Sequence, residues 1–196
     1  MNYFSSSAER IGGEGIFMWL LIIPGIALVF YPSMSLVTSE IENRTIEMIF
    51  CTADSRYKVW LARIFTLHFF VAFIIFVLCS LSFVFISDFP FLGYFFHSLF
   101  PLIFLSSLII MLSVILKSGN AGGLVSLLVI MFLMITYQPL SSTKFNLFMN
   151  PYFKFQGIDY SSWAVTVWYN RIGILVLSGL MIYYSLFRLN KREKYI

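Results

Sequence analysis

Five apolar runs, each near the ~20 residues that a bilayer-spanning helix requires, alternate with short polar clusters along this chain. Length, Gly and Pro punctuation and aromatic residues at the run ends place them at about 16–37, 59–86, 94–116, 121–140 and 165–187. Pro24 and Pro32 interrupt the first run, but neighbouring helices can satisfy the carbonyls that a membrane proline frees, so both fit inside one span. Ser87-Asp88-Phe89-Pro90 is a compact turn signal after the second run, and Lys117-Ser118-Gly119-Asn120 closes the third. The pattern predicts an all-α integral membrane protein forming a single transmembrane domain over 1–196.

One polar interval, 38–58, differs from a plain turn. Ile41, Thr45, Met48 and Ile49 fall on one face of a helix there, and Glu40, Asn43, Arg44 and Glu47 fall on the other. Ser39 is placed to cap the start of such an amphipathic helix. One reading is a helix resting in the membrane interface; the other is a docking element for something soluble. The interval 141–163, rich in Phe and Tyr and containing Asn150-Pro151-Tyr152-Phe153, is too long for a hairpin and reads either as an interfacial aromatic belt or as short re-entrant helices.

Composition agrees with the pattern: 60% hydrophobic and 11% charged residues leave no room for an extramembrane catalytic domain. The formal net charge of +4 reflects orientation rather than nucleic-acid binding. Arg44, Arg56, Lys58, Arg63, Lys117, Arg188, Lys191, Arg192 and Lys194 lie on one side of the predicted spans, and only Arg10, Lys144, Lys154 and Arg171 on the other. Basic residues are retained in the cytoplasm, so the C-terminus and the 38–58 interval are expected there, and the N-terminus of this chain outside. The first fifteen residues lack the basic start of a signal peptide, so the first run is expected to be a retained span. Cys51 and Cys79 should lie at different depths, which argues against a disulfide between them.

The order of residues in the polar interval resembles the cytoplasmic signature of the type-2 ABC exporter permeases, the transmembrane subunits of ABC transporters. Glu40 matches the family's leading glutamate, Thr45 and Glu47 its Thr-x-Glu, Met48-Ile49-Phe50 its apolar trio, and Ser55-Arg56 the pair before the next span; Arg63 stands where a lysine is usual. Arg44 replaces the usual glycine and Ala53 the usual proline. Trp168-Tyr169-Asn170-Arg171, the apolar run after it and the basic tail from Arg188 resemble the family's last span and tail.

The resemblance implies six spans in the family against five here, so the first visible run corresponds to the family's second and an upstream span is absent, split off or truncated. It also implies that the interval around Glu40, Arg44, Thr45, Glu47 and Met48 is a cytoplasmic coupling helix seated on a separate ABC ATPase subunit. ATP and Mg would be held by that subunit, since this chain has no G-x-x-x-x-G-K-[ST] phosphate loop and is expected to bind no cofactor itself. A second permease copy, related by two-fold symmetry, and membrane lipids complete the expected partners in the cytoplasmic (inner) membrane.

Two polar residues inside the spans invite a functional reading. His68 either faces a substrate path or is a neutral ring bonded to a neighbouring helix. Arg171 either meets an anionic substrate or anchors its helix in the headgroup layer. Asp88 and His97 flank an external turn, but two residues from different elements do not make a metal or acid–base site. Gly119 and Gly123, with Gly122 and Ser126 beside them, mark either a close helix contact or a loose helix start. No metalloprotease, serine-nucleophile or paired-aspartate motif is present, so the rival to an exporter subunit is a membrane scaffold or small channel, not an enzyme.

Overall fold

The computed structural model describes residues 16–42, 56–85, 89–140, 143–152 and 160–189, and every regular element within them is a helix. A π-helical segment, Ile16–Ile22, leads into α1 (Ile23–Glu42); α2 (Arg56–Phe85), α3 (Phe91–Leu116), α4 (Gly119–Ile135) and α5 (Tyr160–Leu189) follow. Pro24 sits at the junction of the π-helical segment with α1, where the hydrogen-bond register changes, and Pro32 is accommodated in the interior of α1.

The π-helical segment together with α1, and each of α2, α3 and α5, contain a stretch long and apolar enough to cross a bilayer, which makes this a membrane protein by length and composition. α4 has 17 residues. That corresponds to about 26 Å, short of the ~30 Å hydrocarbon core. The fourth run was expected to remain helical to Leu140, yet the chain turns from Thr136 onward. Thr136 Oγ1 lies 3.0 Å from the Phe132 carbonyl and 3.2 Å from that of Leu133, and Pro139 disfavours helical geometry at the residue before it.

One further expectation is corrected. Ser39 does not cap a new helix, because α1 runs on through Ser39 and Glu40 to Glu42; the stretch from Ser33 to Glu42 contains neither Gly nor Pro to stop it. Within the 141–163 interval, residues 143–152 form successive turns and 160–163 already belong to α5, while the rest of the expected re-entrant segment lies outside the described residues.

The last turns of α3 and α5, Leu36 of α1 and the first turns of α2 meet in one cluster, and the opposite end of the bundle bears residues 143–152. α3 lies at the centre, with 61% of its most apolar window buried against 22% for α5. Ser98, Ser106, Ser107 and Ser113 keep its buried faces slim, and Ser98, Ser107 and Ser113 return their hydroxyls to its own carbonyls. Beside residues 43–55, Leu36, Trp60, Ile64, Ile110, Val114, Ile182, Leu186 and Leu189 form one cluster spanning α1, α2, α3 and α5. The opposite end is packed around Phe17, Leu21, Cys79, Tyr94, Phe100, Leu147 and Phe148.

The turn between α3 and α4 is tight. Lys117 takes a left-handed backbone with φ 55°, and Ser118 caps α4 by accepting from the Ala121 N–H at 3.4 Å. A β-carbon on Gly122 would lie 2.6 Å from the backbone nitrogen of Ser113. The glycines therefore mark a close helix contact, and Gly123 does the same work against Met34 of α1.

Candidate functional site

The most developed polar structure lies at the end bearing residues 143–152. An irregular segment at the end of an apolar bundle must have its backbone groups satisfied, and here α5 supplies the partners. Asn170 Nδ2 donates to the carbonyls of Lys144 at 2.8 Å and Asn146 at 2.9 Å. Arg171, on the next position of the helix, donates through Nη2 to the Met149 carbonyl at 2.7 Å, through Nη1 to Asn170 Oδ1 at 3.3 Å and through Nε to His97 Nδ1 at 3.3 Å. Trp163 Nε1 donates to the Pro151 carbonyl at 2.9 Å. Within the segment, Asn146 Oδ1 accepts from the Phe148 N–H and Asn150 Oδ1 from the Tyr152 N–H, both at 3.0 Å.

Arg171 is 1% exposed, and its guanidinium carbon stands 5.4 Å from the centre of the Phe100 ring. The headgroup-anchor reading is therefore overturned: the side chain turns inward onto the 143–152 segment instead of outward. Because Nδ1 of His97 accepts from Arg171, the neutral imidazole carries its proton on Nε2. Tyr152 stacks on Tyr94 with ring centres 5.0 Å apart and planes 2° from parallel. Gly93 makes this possible, since a β-carbon there would occupy the place of the Tyr152 hydroxyl. Burial pushes the Tyr152 phenol above its ordinary pKa. Chemically this arrangement is a lock, with each side-chain nitrogen of Arg171 and Asn170 donating to a fixed acceptor.

A second polar contact crosses the middle of the bundle. His68 Nδ1 faces the Ile64 carbonyl at 2.7 Å and must carry a proton; Nε2 meets the hydroxyl of Ser106 on α3, also at 2.7 Å. The expectation of a histidine bonded to a neighbouring helix describes this geometry. A cavity of about 230 Å³ adjoins the ring, lined by residues of α1, α2 and α3.

The residues expected to meet an ATPase are distributed differently. Glu40 lies on the last turns of α1, whereas Arg44, Thr45, Glu47 and Met48 lie outside the described residues, as do Cys51 and Asp88. His68 and Arg171 are not brought together: one joins α2 to α3 at mid-bundle, the other ties α5 to the end segment. Among the described residues no group of three or more His, Cys, Asp or Glu converges as a metal site would require.

Sequence reasoning passed over Gly93, Ser106 and Asn146, and took in Asn170 only as part of the run resembling a family's last span. The signal available for Asn170 was the Asn170-Arg171 pair inside an otherwise apolar run, following a loop with Asn146 and Asn150. Comparison with protein-family models, with curated proteins and with solved structures finds no match to this chain.

Proposed function

We propose that this chain is the membrane-embedded permease subunit of an ATP-driven exporter of the type-2 ABC kind, worked by a separate ATPase that binds ATP and Mg. Glu40, Arg44, Thr45, Glu47 and Met48 form the contact with that ATPase on the cytoplasmic side of the cell's inner membrane. In this reading α4 is a fifth, short span, residues 143–152 belong to a re-entrant external segment, the C-terminus is cytoplasmic, and a second permease copy completes the transport path.

The observation that carries the reading is the setting of the Glu40–Phe50 motif. Residues 43–55 connect α1 to α2, and just beyond them Leu36 and Trp60 belong to one buried cluster with Ile110, Val114, Ile182 and Leu189. A push on the connecting segment is thus delivered to four packed helices together rather than to one free loop. Arg188 reinforces the same end by donating to the Ile115 carbonyl of α3 at 3.3 Å.

The test is affinity purification of the full chain from native membranes, followed by Mg-dependent ATP hydrolysis on the eluate. An associated ATPase is expected, and Thr45→Ala with Glu47→Ala should remove it while the permease elutes unchanged in detergent. Purification of the unaltered chain with no ATP-hydrolysing partner under native conditions would favour the scaffold or channel and refute the exporter.

A further inference from the structure

We propose that the cavity beside His68 is a binding site for one acyl chain of a membrane lipid, entered sideways between α2 and α3. Its walls are Val29 of α1, Phe65, His68, Phe69, Val71 and Ala72 of α2, and Leu99, Leu102 and Ile103 of α3. Eight of these nine side chains are hydrocarbon. The ninth has no polar valence to offer, because both ring nitrogens of His68 are already engaged at 2.7 Å, one by Ile64 and one by Ser106. A ligand seated here meets carbon on every side, so an occupant with a polar group would lose its hydrogen bonds without replacement.

Depth and direction select the occupant. His68 lies ten residues beyond Lys58 in the 28-residue apolar stretch of α2, about 15 Å along the helix and near the middle of a ~30 Å hydrocarbon core. The medium at that level is acyl chain. Phe65 and Phe69, one turn apart, line the cavity and are 71% and 67% exposed, so the mouth opens laterally on the outer face of α2 rather than toward either end of the bundle. The volume of about 230 Å³ exceeds the ~150 Å³ at which an apolar cavity stays dry and accepts a benzene-sized molecule. It therefore takes a segment of chain or a compact ring, and of these the bilayer supplies the chain. The site depends on the membrane-spanning assignment alone and would exist whether or not an ATPase drives the protein.

The full chain is reconstituted in phosphatidylcholine vesicles containing a trace of phosphatidylcholine with a mid-chain diazirine, irradiated, and mapped by peptide mass spectrometry. Adducts at Phe65, Phe69, Leu99 and Ile103 are expected to exceed those at Ile172 and Val176, which lie on the exposed face of α5, by about tenfold, the ratio for a preference of 1.4 kcal/mol. Ala72→Phe, which fills the cavity, should bring the groove adducts down to the α5 level and leave the α5 adducts unchanged. Ile103→Ala, which enlarges it, should raise them and serves if the filled variant does not fold. Equal labelling of groove and α5 face in the unaltered protein, or groove labelling indifferent to both substitutions, would overturn the proposal.

Discussion

Replacing Arg171 by Met removes the guanidinium while keeping an unbranched side chain of similar length, and its effect should be local. The lost contacts are one short bond from a charged donor to the Met149 carbonyl and two longer ones to Asn170 and His97. A hydrogen bond to a charged group contributes about 1.5–3 kcal/mol, and the longer pair adds a fraction of that. Global stability is a poor readout, because Met also relieves the cost of burying a charge, itself several kcal/mol. Opening of residues 143–152 alone is a better one, since that opening breaks the Met149 bond. That one bond sets the effect: we expect the opening free energy to fall by about 1.5–3 kcal/mol, which at tenfold per 1.4 kcal/mol is about a 10- to 140-fold loss of protection. The assay is hydrogen exchange at the Phe148, Met149 and Tyr152 amides, all bonded within the segment. Arg171→Lys should recover part of the loss, because a compact ammonium reaches the Met149 carbonyl but cannot span the planar set of acceptors. Unchanged protection in Arg171→Met would refute the idea that this side chain holds the segment.

Gly122→Ala should lower the melting temperature markedly, since its β-carbon meets the Ser113 backbone; Gly173→Ala on α5, with open space around it, should instead stabilise by about 0.5–1 kcal/mol. Ser33 is fully buried on α1 and its hydroxyl has no hydrogen-bond partner, so Ser33→Ala should raise stability by about 1 kcal/mol in a denaturation series, and a loss of stability would show that the hydroxyl is satisfied.

Much of this fold was legible because membrane spans announce themselves by length. The runs at 59–86 and 94–116 correspond to α2 and α3 within a few residues, and the turn around Lys117 falls where Gly and Ser punctuate the chain. Helix ends were less legible where no punctuation exists: α1 passes through Ser39 because nothing nearby stops it. The fourth run failed at its far end for the opposite reason, an apolar composition that hides Thr136 and Pro139. The inward turn of Arg171 could not be read at all. An arginine near the end of an apolar run has the same sequence signature whether it snorkels outward or donates to a carbonyl twenty-two positions earlier. Only the fold of residues 143–152 decides between these, and that fold depends on Asn146 and Asn150 capping their own turns.

The two ends of the bundle are tied by different physics, and this bears on how the proposed exporter would move. Beside residues 43–55 the helices are joined mainly by Trp, Leu, Ile and Val side chains. Such contacts are non-directional and tolerate sliding. At the opposite end α5 is joined to residues 143–152 by directional bonds from Trp163, Asn170 and Arg171. These break outright when misaligned. α3 contacts both regions and carries Ser106, whose bond to His68 is the polar tie between α2 and α3 at mid-bundle. A displacement applied near residues 43–55 would therefore shift that packed cluster as one without breaking directional bonds, while the bonded end resists until its hydrogen bonds give way together. On this argument the Arg171 bonds are the threshold of the movement. Weakening them should ease opening at the far end without touching the segment where the ATPase is proposed to dock.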